Sequence, residues 1–215
     1  MEEVSGDRLR RELLLILSET GRARAVRTLE RLGLADAVAP GLAGAGSAAR
    51  VAAAERIAAE VGDVGWLCYF FAWMGPHGAA ALEPIADRLA FSGRERRSLF
   101  RWRDLRGALL SERSPRSPGE LSLALRASSP DSVAAVAAEL GAPERRKVLR
   151  TFAASAGIRL SIRGSDLVAA GVAPGPGIGR ALAATLAARE EGRVSLAQEL
   201  DFAVRLARED RGESR

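Results

Sequence analysis

Gly175, Gly177 and Gly179 stand at the head of a helical run in GVAPGPGIGRAL, residues 171–182. The first turn of a helix leaves its N–H groups without intrahelical partners, and glycine puts no side chain over them, so this composition suits a phosphate. Arg163, with Gly164 beside it, and Arg180 flank the stretch and would add charge-assisted contacts. Pro176 removes one donor, which leaves the cradle incomplete. A second reading stays open. Gly171 can end a short helix at positive φ, Pro174 and Pro176 can stiffen the turn, and the glycines can serve close packing in a compact joint.

Two acid-poor segments reinforce the anion reading. Residues 88–116 hold nine arginines against Glu95, Asp104 and Glu112. Within them Arg94, Arg97 and Arg101 recur at i, i+3 and i+7, one face of a helix. Residues 145–163 hold five arginines and Lys147 with no acid, and Arg146, Lys147 and Arg150 are the candidates there. Residues 1–37 balance seven arginines against seven acids, so the excess is local. Arginines on one face neutralise phosphates and release counterions, which makes binding salt-dependent. A single such stripe also fits a plain solvated helix face.

Other chemistry lacks its parts. His77 is the sole histidine and is expected on a surface loop in GPHG, and Cys68 is the sole cysteine, expected as an inert core thiol in VGWLCYFFAWM. A disulfide, a His/Cys zinc site and a Cys–His nucleophile are therefore not assembled from these residues. There is no D-x-D pair for two Mg2+ ions and no G-x-x-x-x-G-K-[ST] loop. Asp104 and Asp166 are expected as caps or surface pairs, and Trp66, Trp73 and Trp102 as core. No catalytic residue, metal site or cofactor is expected in this chain.

The elements that must position these groups are helical. Hydrophobic residues make up 47% and aromatics 5%, with Ala, Leu, Arg and Glu prominent, a mix that favours helices over strands. Ser5 can cap a helix over 5–19, Gly33 can close the next, and Ala-rich helices follow at 48–61 and 64–74. Pro84 marks a kink or break in a helix after the 75–78 turn. Ser92 and Glu95 form a capping box ahead of a buried stripe of Leu99, Trp102, Leu105 and Leu109. Residues 111–119 read as a linker, Pro118 and Pro130 each open a helix, and another helix ends near Gly157. Helices at 166–170 and 178–191 come next. Ser195 and Gln198 cap a last one expected to bury Leu196, Leu200, Val204 and Leu206 or Ala207, before a frayed charged tail. The expected fold is an all-α array of about ten short packed helices, a body over 1–157 and a smaller tail module over 158–215. The 64–74 run is shorter than the roughly 20 residues of a membrane helix, and RRELLLILSE does not resemble a signal peptide. A cytoplasmic chain with no membrane partner is the expectation.

Several stretches resemble one family. SGDRLRREL (5–13) is similar to the S-G-E-R-[VI]-R-x-E-L neck pattern of the bacterial tRNA nucleotidyltransferases and poly(A) polymerases, the CCA-adding class, with Asp7 in place of the glutamate. LERLGLADAVAP (29–40) and LAFSGRERR (89–97) resemble its next helix and its body helix. The most specific match is RGSDLVAAGVAPGPGIGRAL (163–182). It fits the tail pattern G-x-D-L-x-x-x-G-x-x-P-G-P-x-[IVL]-G at Gly164, Asp166, Leu167, Gly171, Pro174, Gly175, Pro176 and Gly179. EGRVSLAQEL (191–200) resembles the last conserved stretch of that tail. The resemblance implies a body and tail that grip tRNA along its acceptor and T arms. In the family a catalytic head precedes the neck and supplies the metal-binding carboxylates and the residues selecting CTP and ATP. The resemblance here starts at the neck, so Mg2+, CTP and ATP would belong to a head on another segment or chain. Three expectations result: a tRNA-binding portion of such an enzyme, a subunit of a split enzyme with its head near residues 5–20, or a helical protein-interaction module without RNA.

Overall fold

The computed structural model describes residues 4–40, 42, 44, 46–75, 79–111, 118–155 and 158–209. Among them the chain is all-α, with thirteen α-helices, one 3-10 turn and no strand. In order these are α1 (Gly6–Ser18), α2 (Arg22–Arg31), α3 (Leu34–Val38), α4 (Ser47–Val61), α5 (Trp66–Met74), α6 (Ala79–Arg88) and α7 (Gly93–Leu110). Then come α8 (Pro118–Arg126), α9 (Pro130–Ala137), α10 (Ala142–Ser155), α11 (Gly164–Ala169), α12 (Pro176–Glu190), the 3-10 turn Leu196–Gln198 and α13 (Glu199–Glu209). The expected loop position of His77, the linker over 112–117, the helix end near Gly157 and the tail over 210–215 lie outside the described residues.

The chain divides into two compact units. One comprises Met1–Ser114 and Ala127–Leu149, the other Pro115–Arg126 and Arg150–Arg215.

The first unit is built around α5, where every side chain from Cys68 to Met74 is buried. So apolar a helix has no solvent face and must be enclosed on all sides. Ala134, Ala135 and Ala137 of α9 and Ala54 and Ala58 of α4 are small enough for these neighbours to come close. Phe71 stacks on Trp102 of α7 with centroids 5.1 Å apart, and Phe70 meets Phe91 at 5.4 Å. Charged side chains from the neighbours cap both ends of α5. Asp131 accepts from the Gly65 N–H at 2.5 Å, and Arg50 donates to the carbonyls of Ala72 and Trp73 at 2.9 and 3.0 Å. The pairing has the sign the helix dipole favours. Burial pushes the Asp131 carboxyl above its ordinary value, against the Gly65 hydrogen bond, and pushes the Cys68 thiol far up. Cys68 is the inert core thiol expected of it. The stripe Leu99, Trp102, Leu105 and Leu109 is buried as its spacing implied, and Pro84 sits within α6, which runs unbroken.

In the second unit, α11, α12 and α13 close over Leu167, Val172, Ala181, Ala203 and Ala207. Gly119 lets α8 join α12. A Cβ there would lie 2.5 Å from the Ala187 Cβ, and its N–H donates to Glu191 Oε1 at 2.9 Å. One expectation is corrected. Leu196 is 58% exposed, and α13 buries Glu199, Ala203 and Ala207, with Leu200, Val204 and Leu206 only partly covered. The Ser195 amide and hydroxyl do bond Gln198, but they open a 3-10 turn. Such a turn has three residues rather than 3.6, so the stripe behind it is rephased.

Candidate nucleic-acid interface

The basic segments sort themselves once carboxylates are located. In α7, Arg96 pairs with Glu83 at 3.0 Å and Asp87 at 2.5 Å, Arg103 with Asp104 at 2.6 Å, and Arg106 with Glu139 at 2.8 Å. Arg94, Arg97 and Arg101 are exposed and pair with no carboxylate among the described residues. Arg101 makes only a long contact, 3.4 Å, to the Ala127 carbonyl. The i, i+3, i+7 trio is thus the part of α7 whose charge is uncommitted. The capping box fixes where this helix begins: the Glu95 N–H reaches Ser92 Oγ at 3.3 Å, and the Ser92 N–H reaches Glu95 Oε2 at 2.7 Å. Glu95 also takes Arg10 of α1 at 3.0 Å. Burial raises its carboxyl, but the bonds from Ser92 and Arg10 outweigh that and hold it below the ordinary value.

On α10, Arg146, Lys147 and Arg150 are exposed and likewise pair with no carboxylate among the described residues. With no acid between 145 and 163, nothing on that helix beyond Glu144 competes for them.

In the second unit the glycine-rich turn links α11 to α12. Asp166 reaches back from the first turn of α11 to accept from the Arg163 N–H at 2.6 Å, and Gly171 closes the helix at φ 86°. A Cβ on Gly164 would approach the Ile178 side chain to 3.2 Å, so that glycine brings the two helix starts together. Helix α12 begins at Pro176, which places Gly177 and Gly179 inside its first turn. Gly177 is buried, whereas Gly175, Gly179, Arg163 and Arg180 are exposed. The Ile178 N–H is taken by the Gly175 carbonyl at 3.2 Å. The module is tied from behind by Glu199, fully buried, which accepts from Arg189 Nε at 2.7 Å and from the Ser161 N–H and hydroxyl at 2.7 Å each.

The first unit also carries an apolar groove of about 660 Å3. Leu9, Leu13 and Ile16 of α1, Leu29 of α2 and Leu34 and Val38 of α3 line it, with Glu12 and Arg88 among its few charges. Val4 and Leu34, both on the groove, are each 44% exposed. Leu13 and Leu17 themselves are buried, so the surface expected near residues 5–20 lies on the groove side of α1 and at Leu15, which is 56% exposed. Its signal in the sequence is the apolar width of α1, which exceeds one helix stripe. The leucines of α2 and α3 that complete it join only through folding.

No family model matches the chain, and no curated protein matches it in sequence. Solved structures do match in fold. A CCA-adding enzyme in complex with CTP superposes with TM-score 0.74 at 17% identity, covering 99% of this chain and 53% of that one. A CCA-adding enzyme in complex with ATP gives 0.70 at 18% identity, over 92% of this chain and 49% of that one. The apo form II of a CCA-adding enzyme gives 0.70 at 17%, over 93% and 49%. The chain therefore spans about half the length of the structures it matches.

Proposed function

We propose that this chain is a tRNA-binding portion of a CCA-adding type nucleotidyltransferase, holding tRNA by its phosphates while a catalytic head on another segment or chain transfers the nucleotide. The observation that carries this reading is the fold shared with CCA-adding enzymes over nearly the whole chain. Arg94, Arg97, Arg101, Arg146, Lys147 and Arg150 support it, because exposed cations without carboxylate partners are free to neutralise phosphates. Arg163 and Arg180, with the exposed Gly175 and Gly179, would add contacts at the α12 end, whereas the buried Gly177 and the packed Gly164 serve the joint itself.

Among the described residues no three His, Cys, Asp or Glu side chains gather into a metal-binding group. On this reading Mg2+, CTP and ATP belong to the head. The apolar groove beside α1 offers that head a dry docking surface.

A gel shift of the chain with whole tRNA at rising salt tests the reading. Binding at about 50 mM salt that weakens steeply as salt rises is expected. No binding there, or binding indifferent to salt, overturns it. The groove also favours the alternative of a protein-interaction module, which requires a protein complex that survives nuclease and a chain that does not retain tRNA.

A further inference from the structure

The solvent side of α7 holds a planar cation whose charge is already matched. Arg103 donates from Nε and from Nη2 to one oxygen of Asp104, Oδ1, at 2.9 and 2.6 Å. Its guanidinium carbon lies 5.1 Å from the centroid of the Phe100 ring, one turn earlier, within the range of a cation–π contact. The Arg103 side chain nevertheless keeps 39% of its surface exposed. Asp104 grips the guanidinium and the Phe100 ring backs it, so the plane is fixed before any partner arrives.

Two features of the same helix keep this side open. A helix turns about 100° per residue, so the buried stripe of Leu99, Trp102, Leu105 and Leu109 leaves Phe100, Asp104 and Gly107 within about 40° of the opposite direction. Phe100 is thus a large ring on the side away from the core, half-buried rather than enclosed. Gly107, one turn beyond Arg103, is exposed, and a Cβ there would meet no described atom within 4 Å. Glycine inside a helix weakens it relative to alanine, and neither a positive φ nor a close packing contact requires one here. A bare position beside a flat cation does permit the close approach of something planar.

Charge decides the class of partner. Arg94, Arg97 and Arg101 of the same helix are exposed and pair with no carboxylate among the described residues. They suit an anionic backbone, whereas Arg103, neutralised by Asp104, offers a surface more than a charge. A nucleic-acid strand supplies both an anionic backbone and flat bases. Guanidinium planes and aromatic rings are the usual stacking surfaces for its unpaired bases.

We propose that Arg103, backed by Phe100 and fixed by Asp104, is a stacking plate for an unpaired base of the RNA whose phosphates the row of Arg94, Arg97 and Arg101 neutralises. The inference rests on the RNA-binding reading and adds to it a contact that depends on the base rather than on charge. Every base has a π face, so the plate tolerates any sequence.

The full chain is titrated at about 50 mM salt with oligoadenylate of about six residues and with an abasic strand of equal length, followed by fluorescence anisotropy. The two strands carry the same phosphates, so their ratio reads the bases alone. The base-bearing strand should bind about tenfold more tightly, within the range that stacking of one base supplies. Arg103→Lys keeps the charge and loses the plane, and Gly107→Leu fills the open position with a better helix former. Each should cut the preference to about twofold or less, with the circular dichroism melt kept and the slope of log affinity against log salt unchanged. Phe100→Ala should act in the same direction. Equal affinity of the parent for both strands overturns the proposal, as does a preference that survives both Arg103→Lys and Gly107→Leu. A loss that falls equally on the abasic strand also overturns it, because Arg103 is then one more phosphate contact. Equal binding of the strands together with a nuclease-resistant protein complex that Gly107→Leu abolishes would assign this face to a protein instead. Salt-steep tRNA binding without a base preference removes the plate and leaves the RNA reading, whereas no binding of tRNA or of either strand removes both.

Discussion

Replacing Arg94, Arg97 and Arg101 together with glutamine should lower the salt dependence of tRNA binding by about half, and the structure sets the size. Six basic side chains in the two candidate rows lack a carboxylate partner: these three, with Arg146, Lys147 and Arg150. If each neutralises one phosphate of a duplex arm, the slope of log affinity against log salt is about −0.9 per contact, or roughly −5.4 from these six. Between about 50 and 200 mM salt that is a loss of affinity on the order of two-thousand-fold. With the α7 row removed, three contacts remain, the slope falls to about −2.7, and the loss over the same range shrinks to roughly fortyfold. The assay is a set of filter-binding isotherms with whole tRNA at several salt concentrations. The matched control is Arg96→Gln with Arg106→Gln, which removes charges already spent on Glu83, Asp87 and Glu139. That control should leave the slope within one contact of the parent. An unchanged slope in the triple variant, or a larger drop in the control, would refute the sorting of arginines into committed and uncommitted sets.

Phe71→Ala removes the ring stacked on Trp102 in the α5 core and should destabilise the first unit by about 3–5 kcal/mol in urea unfolding. Gly119→Ala should destabilise by about 1–3 kcal/mol, because its Cβ meets Ala187 at 2.5 Å. An ordinary helical glycine would instead gain about 1 kcal/mol from the change, so the sign of the urea midpoint shift decides. Burial raises the Glu199 carboxyl, but the bonds from Ser161 and Arg189 outweigh it and leave the folded value below the ordinary one. Its contribution is therefore full above the ordinary glutamate value of about 4.3 and is lost as pH falls through the lower folded value. Glu199→Gln should lower the thermal midpoint at neutral pH and flatten its fall below about pH 4, read by melts across the acid range.

Local patterns in the chain carried the helices and much of the core. The capping box of Ser92 and Glu95, the stripe from Leu99 to Leu109 and the left-handed stop at Gly171 all depend on residues a turn or two apart. The i, i+3, i+7 spacing likewise puts Arg94, Arg97 and Arg101 on one face of a helix. The sequence could not say which arginines would keep their charge for a partner. Arg10 finds Glu95 from 85 positions away and Arg106 finds Glu139 from 33, and such pairs exist only once helices pack. The same holds for Leu196, left exposed when a 3-10 turn rephased the stripe behind it. It holds also for Ser122 and Glu190, an ordinary helix serine and an ordinary acid at a helix end in the chain, each of which buries one oxygen without a hydrogen-bond partner. Periodicity and capping are short-range consequences of backbone geometry, so the sequence alone determines them. Charge partnership, register after an irregular turn and the lining of a cavity depend on which distant surfaces meet, and only the tertiary structure decides that.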